Sequence, residues 1–230
     1  MTTELRRRAL SEFVGTGGLV TVVVGSGIAA QRLSPDDVGL QLLQNSMATA
    51  LGLTVLILVL APVSGGHLNP AVTLAAWALD RRSFRGPEVA AYVSAQTAGA
   101  IAGTWLAHGM FDVGVLTTST HARNGGPTLV AEVVATAGLV LVIFALVRSS
   151  QGPLCAPAVG AYIGAAYWFT SSTSFANPAV TVGRAFTDTF AGIAPSSVPG
   201  FVAAQLVGAA LGLLLLLALY PTTVRGAVDA

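Results

Sequence analysis

"VSGGHLNPAVTLAAW", residues 63–77, interrupts a long apolar stretch with a His, an Asn and a Pro, then resumes as a good helix former. Pro is tolerated at the first helical position, where its missing N–H would be orphaned anyway, and Asn is a favoured N-cap. Pro70 therefore opens a helix that Asn69 caps. "NPAVT" of residues 69–73 returns at 177–181, an offset of 108 residues (177 minus 69), with Asn177 and Pro178 in the same positions. Residues 70–79 and 178–187 each predict a helix of about 15 Å, half the thickness of a bilayer's hydrocarbon core.

The surroundings are those of a membrane protein. Of 230 residues, 53% are hydrophobic and only 9% are charged, where a soluble domain carries roughly 25% charged residues; the mean hydropathy is +0.74. Six apolar segments approach the roughly 20 residues a span needs: about 9–30, 38–61, 87–108, 128–147, 153–170 and 199–219. The first follows three arginines but is long for a signal peptide core and holds Glu12, so it reads as a retained span. All eleven basic residues are Arg. An inside N-terminus puts Arg6, Arg7, Arg8, Arg81, Arg82, Arg85, Arg148 and Arg225 in the cytoplasm and Arg32, Arg123 and Arg184 outside. The expectation is a multi-pass protein of the inner or plasma membrane with both termini cytoplasmic. A net charge of +1 gives no reason to expect a nucleic-acid partner, and the single Cys155 allows no intramolecular disulfide. No nucleotide loop or metal-ligand spacing is present, so no cofactor or metal is expected.

The repeat extends to the spans. Glu12 in "SEFVGTGGLV" is answered by Glu132 in "AEVVATAGLV"; Tyr92, Gln96, Gly99 and Gly103 are answered by Phe201, Gln205, Gly208 and Gly212. The chain thus reads as one channel domain, 1–230, with halves of roughly 1–110 and 125–225. Three spans per half force the second half to enter from the opposite face, giving an inverted repeat. The fold class expected is an all-α membrane protein of six transmembrane helices and two re-entrant half-helices. The glycines are read as packing positions that let helix backbones approach.

Non-helical backbone at membrane depth is tolerated only when buried in protein or lining a watery cavity. The approaches "VSGGHL" and "SSTSFA" therefore border a pore. Two half-helix N-termini meeting there place roughly half a positive charge each at the midplane, repelling cations and orienting a neutral dipole. The Asn69 and Asn177 amides, with Pro70, Ala71, Pro178 and Ala179 around them, would take the lone pairs of a permeating water and interrupt proton relay.

On "SGGHLNPAV", the second "NPAV", Glu12, Glu132, Gln96 and Gln205, the chain resembles the aquaporin and aquaglyceroporin family over nearly its whole length. The resemblance implies that Glu12 and Glu132 brace the re-entrant loops, that His67 shapes the inner vestibule, and that the assembly is a homotetramer with one pore per subunit. It also implies a selectivity filter at Thr49, Ala165, Ser174 and Val180. Sliding the helices would instead bring up Leu51 for Thr49 and Tyr167 or Trp168 for Ala165. Val180 stands where the family usually has Arg, which resembles a bacterial arsenic-resistance subgroup that passes arsenic(III) as its neutral trihydroxide. Arg184, four residues on, either reaches back toward the mouth or snorkels at the outer interface; the second is preferred. Cys155 reads as a small buried hydrophobe.

The function expected is passive conduction of small uncharged polar solutes: water, glycerol-like polyols and possible metalloid hydroxides. No enzymatic step is required. An ion-coupled secondary transporter also favours inverted repeats but needs an ionisable residue on the path, and only Glu12 and Glu132 qualify. A membrane scaffold with a vestigial pore is a third reading, for which short loops leave little surface.

Overall fold

The computed structural model describes residues 1–115 and 117–221, and these are helical without a strand. The helices are α1 (Thr3–Leu33), α2 (Val38–Ser64), α3 (Pro70–Leu79), α4 (Gly86–Met110), α5 (Gly126–Arg148), α6 (Cys155–Phe169), α7 (Pro178–Gly183) and α8 (Val198–Leu219). Short 3₁₀ turns precede α6 (Gly152–Leu154), follow α7 (Arg184–Phe186) and precede α8 (Pro195–Ser197). The six expected spans correspond to α1, α2, α4, α5, α6 and α8.

Local chemistry sets the boundaries. α1 starts at Thr3, ahead of the apolar run, because the Thr2 hydroxyl accepts from the Leu5 N–H at 3.2 Å and Glu4 sits in the first turn, where a carboxylate favours the helix dipole. Asp37 caps α2 through the Leu40 N–H at 2.8 Å. α2 stops at Gly65, whose φ of 91° suits a residue without Cβ. The second half-helix is shorter than the sequence suggests. It tightens to a 3₁₀ turn after Gly183, which is pressed against the Ala100 backbone. Its last carbonyls find partners elsewhere: Thr104 Oγ1 donates to Gly183 (2.9 Å), and the N–H groups of Ile193 and Ser119 donate to Arg184 (3.2 Å) and Ala185 (3.0 Å).

Four stretches are long and apolar enough to cross a membrane alone: α1, α2, α5 and Pro195–Leu219, which holds α8. α4 carries Tyr92, Gln96, Thr104 and His108, all fully buried against protein, so its average hydropathy understates its place in the bundle. α6 is 15 residues, extended by the turn in front of it. Polarity is inverted relative to a soluble protein: Glu12, Gln96, Glu132 and Gln205 are buried, while Leu51, Val55, Leu58, Leu214 and Leu217 are exposed. That inversion fits a lipid solvent. The protein is a multi-pass membrane protein.

The most extensive pairings are α1 with α4 and α5 with α8. Small residues permit them: a methyl group on Gly99 or Gly103 would strike the carbonyl of Phe13 or Gly17, and one on Gly208 or Gly212 that of Val133 or Ala137. Each half-helix packs on both α4 and α8.

The two ends of the bundle are distinct. Arg8 pairs with Glu88 at 3.0 Å near the starts of α1 and α4, and Arg32 in the last turn of α1 donates to the Phe111 carbonyl at the end of α4 at 2.6 Å, so these helices run in parallel. α3 leads into the 80–85 turn at the first end. α7 leads to the segments at the second, where the Phe190 N–H donates to Gln31 Oε1 at 2.8 Å. The half-helices therefore run from the middle toward opposite ends. Of the arginines sorted in the sequence, Arg225 lies outside the described residues.

Candidate pore

At the centre the two half-helices are tied tip to tip. Asn69 Nδ2 donates to the Ala176 carbonyl and Asn177 Nδ2 to the Leu68 carbonyl, both at 2.7 Å. Each Oδ1 caps its own helix: that of Asn69 accepts from the Ala71 N–H (2.8 Å), that of Asn177 from those of Ala179 (3.0 Å) and Val180 (3.2 Å). A carboxamide nitrogen carries two hydrogens, so each Asn keeps one for a solute. Pro70 and Pro178 are the first helical residues, and they and Ala71 and Ala179 are buried.

The tie requires unusual backbone. Leu68 and Ala176, which immediately precede the asparagines, have φ of 49° and 47°, a left-handed conformation that costs a non-glycine residue energy and persists only where neighbours over-determine it. The neighbours are two matching circuits. Glu12 accepts from the N–H groups of His67 (3.0 Å) and Leu68 (2.7 Å) and from Gln96 Nε2 (2.6 Å). Glu132 accepts from those of Phe175 (2.9 Å) and Ala176 (2.9 Å) and from Gln205 Nε2 (2.6 Å). Gln96 and Gln205 donate onward to Thr73 Oγ1 (2.9 Å) and Thr181 Oγ1 (2.8 Å) on the half-helices. Both threonines escaped the sequence reading, although the fifth letter of each "NPAVT" carried the signal. Ser64, whose hydroxyl donates to Glu12 at 2.6 Å, has no counterpart that pattern could reveal.

Removing one brace orphans two buried N–H groups, each at about 1–3 kcal/mol. Glu132→Ala is therefore expected to lower stability by about 2–6 kcal/mol, read as thermal unfolding in detergent. Glu132→Gln, which keeps an acceptor oxygen, loses less.

A narrow cavity passes both asparagines. One wall carries the re-entrant loops; the other is apolar, with Leu53, Leu139 and Ile163 among its residues. A second, wider cavity adjoins it at the first end, the two sharing Ile57, Gly66, His67, Val72, Ile143 and Val159. His67 lies at that junction, its Nδ1 3.1 Å from Thr73 Oγ1 and its ring edge-on to Phe84 and Tyr92. Cys155 is half-buried on the wall of the second cavity, its Sγ 3.8 Å from the Ile143 carbonyl.

Toward the other end the cavity meets Thr49, Ser174, Val180 and Tyr167. The Thr49 and Tyr167 hydroxyls lie 3.1 Å apart, and Ser174 Oγ is buried without a partner. Ala165 is a correction. It is exposed and absent from the cavity wall, because residues 159, 163 and 167 share the inward face of α6 at helical spacing while 161, 165 and 168 point outward. Leu51 and Trp168 are also on the outside, 66% and 52% exposed, while Thr49 on α2 and Tyr167 on α6 face the cavity. Arg184 is a second correction: it is 2% exposed and lines the cavity rather than reaching to an interface.

Spans wrapped around two half-helices that meet inside a polar-and-apolar cavity define a membrane channel. A family model described as major intrinsic protein matches residues 1–176, and the chain belongs to that family, as a channel protein and not an enzyme. It is 52% identical over 214 residues to the aquaglyceroporin AqpS of Rhizobium meliloti (strain 1021), covering 93% of this chain and 90% of that one. It is 31% identical over 251 residues to the glycerol uptake facilitator protein of Pseudomonas aeruginosa, covering 92% and 88%. The X-ray structure of the aquaglyceroporin from Plasmodium falciparum has the same fold, with a TM-score of 0.68 at 23% identity over 96% of this chain and 97% of that one. The family match stops one residue short of Asn177, while both relatives match more than nine-tenths of the chain.

Proposed function

We infer that the chain is a passive pore for small uncharged polar solutes, water and glycerol-like polyols first among them, consistent with the names its relatives carry. The observation that supports this most is the reciprocal tie of Asn69 and Asn177 within one cavity. Two helix N-termini and two free amide hydrogens favour a solute oxygen at the midplane and disfavour a cation. An oxygen held by both amides cannot accept a proton from its neighbour, which supports proton exclusion at the double-Asn midplane.

The filter is assigned to Thr49, Tyr167, Ser174 and Val180. Without an arginine at position 180 this ring accommodates solutes with several hydroxyls, and arsenic(III) trihydroxide, with a hydroxyl pattern near that of glycerol, belongs in the same class. The repeat of circuits supports an inverted duplication of halves near 1–110 and 125–225. The arginine excess at the first end, Arg6, Arg7, Arg8, Arg81, Arg82, Arg85 and Arg148 against Arg32, Arg123 and Arg184, supports a cytoplasmic location for that end and both termini. A homotetramer in the plasma membrane follows from the resemblance. Coupling to protons is disfavoured because Glu12 and Glu132 are buried and engaged by loop N–H groups.

Osmotic swelling of proteoliposomes tests the reading. Water, glycerol, urea and arsenite are expected to enter at rates linear in gradient and indifferent to a proton ionophore. Saturable uptake that collapses with the ionophore would replace the channel by a coupled transporter.

A further inference from the structure

Arg184 is the one cavity-lining residue with a permanent charge among the described residues. It is 2% exposed. Its Nε donates to the Ala191 carbonyl, and its guanidinium carbon lies 3.4 Å from the centroid of the Phe175 ring. Among the described residues it has no carboxylate partner, and its two terminal nitrogens make no hydrogen bond. A buried cation without a counter-charge is costly unless solvent or a solute meets it.

The surroundings hold that charge in place. Arg123 stands 5.1 Å from the same Phe175 ring and donates through Nε to the Gly192 carbonyl at 2.9 Å, so two arginines fix the 190–192 segment against one aromatic. The Ile193 N–H closes on the Arg184 carbonyl at 3.2 Å. Facing the same cavity, Ser174 Oγ is buried and unpartnered. A guanidinium with unused donors and a hydroxyl with an unused lone pair form a recognition site for a hydroxyl-bearing solute.

We propose that Arg184 is the specificity-determining cation of this pore, one helical turn outward from Val180, so that selection is divided between a neutral ring and a charged layer. The proposal rests on the channel reading above. The neutral ring of Thr49, Tyr167, Ser174 and Val180 sets solute width; Arg184 rejects cations and hydrogen-bonds the oxygens of neutral polyols and hydroxides. The two can be varied separately because Val180 lies on α7 while Arg184 opens the 3₁₀ turn that follows it, four residues on.

The test uses full-length protein in proteoliposomes, with water and glycerol entry read by stopped-flow swelling and K⁺ leak by a potential-sensitive dye. Arg184→Gln is neutral but keeps an N–H for the Ala191 carbonyl; Arg184→Lys keeps the charge. Arg184→Gln is expected to raise K⁺ leak at least about tenfold, equivalent to about 1.4 kcal/mol, and to lower glycerol entry relative to water entry, and Arg184→Lys to stay near the wild type in leak. Unchanged leak in Arg184→Gln overturns the proposal. So does equal leak in both variants, or loss of water entry in both, since either marks a purely structural role. A wild-type protein that passes no neutral solute would overturn the channel reading instead.

Discussion

Replacing Asn69 and Asn177 together by Ala is expected to abolish neutral-solute flux and to lower the thermal unfolding midpoint by about 10 °C or more. Each Asn has two structural duties: it caps its own half-helix, worth about 0.5–2 kcal/mol, and it satisfies the carbonyl that precedes the other, where a buried orphan costs about 1–3 kcal/mol. A loss of several kcal/mol shifts the midpoint by about 2–4 °C for each kcal/mol in a chain of this size. The two losses should not add. Asn69 ties to Ala176 and Asn177 to Leu68, so breaking one tie already loosens the backbone that presents the other. A double-mutant cycle is expected to give a coupling of about 0.5–3 kcal/mol. Strict additivity would mean that the tips act independently.

Val180→Arg should have the largest effect on selectivity. Val180 is 4% exposed, lines the cavity and sits one turn before Arg184. A guanidinium there takes up lumen and adds a second cation at i,i+4, a spacing at which like charges repel. Glycerol entry is expected to fall at least about tenfold, a barrier of about 1.4 kcal/mol, with water entry reduced less because a single oxygen passes where a three-carbon polyol does not. Placing Arg184→Gln in the same protein relieves the repulsion and should recover thermal stability without restoring glycerol entry. Glycerol flux indifferent to Val180→Arg would show that the path avoids α7.

Much of this was legible as letters. The paired "NPAVT" fixed where the half-helices begin, because Asn and Pro have positional meaning independent of tertiary context, and the recurrence of Glu12 as Glu132 and of Gln96 as Gln205 marked the two halves as repeats. Three features were not legible. The opposing carbonyls of Leu68 and Ala176 belong to the backbone and have no letter. The choice of Tyr167 over Ala165 depends on how far α6 is rotated relative to the short segment leading to Asn177, which composition does not report. Arg184 looked like a residue bound for the interface because isolated arginines near a span end usually are; the Ala191 carbonyl and the Phe175 ring that hold it inward belong to the loops on either side of α7, whose course has no periodicity to read.

The central claim is that solutes pass between the tips of α3 and α7. It is tested most directly by single cysteines in a Cys155→Ser background, one on each half-helix, Val72→Cys and Val180→Cys, with Ala165→Cys on the outer face of α6 as control. Treating proteoliposomes with a small water-soluble thiol reagent and measuring osmotic water flux should give block at both half-helix positions and none at the control. Undiminished flux with Val72→Cys and Val180→Cys fully labelled would contradict the account.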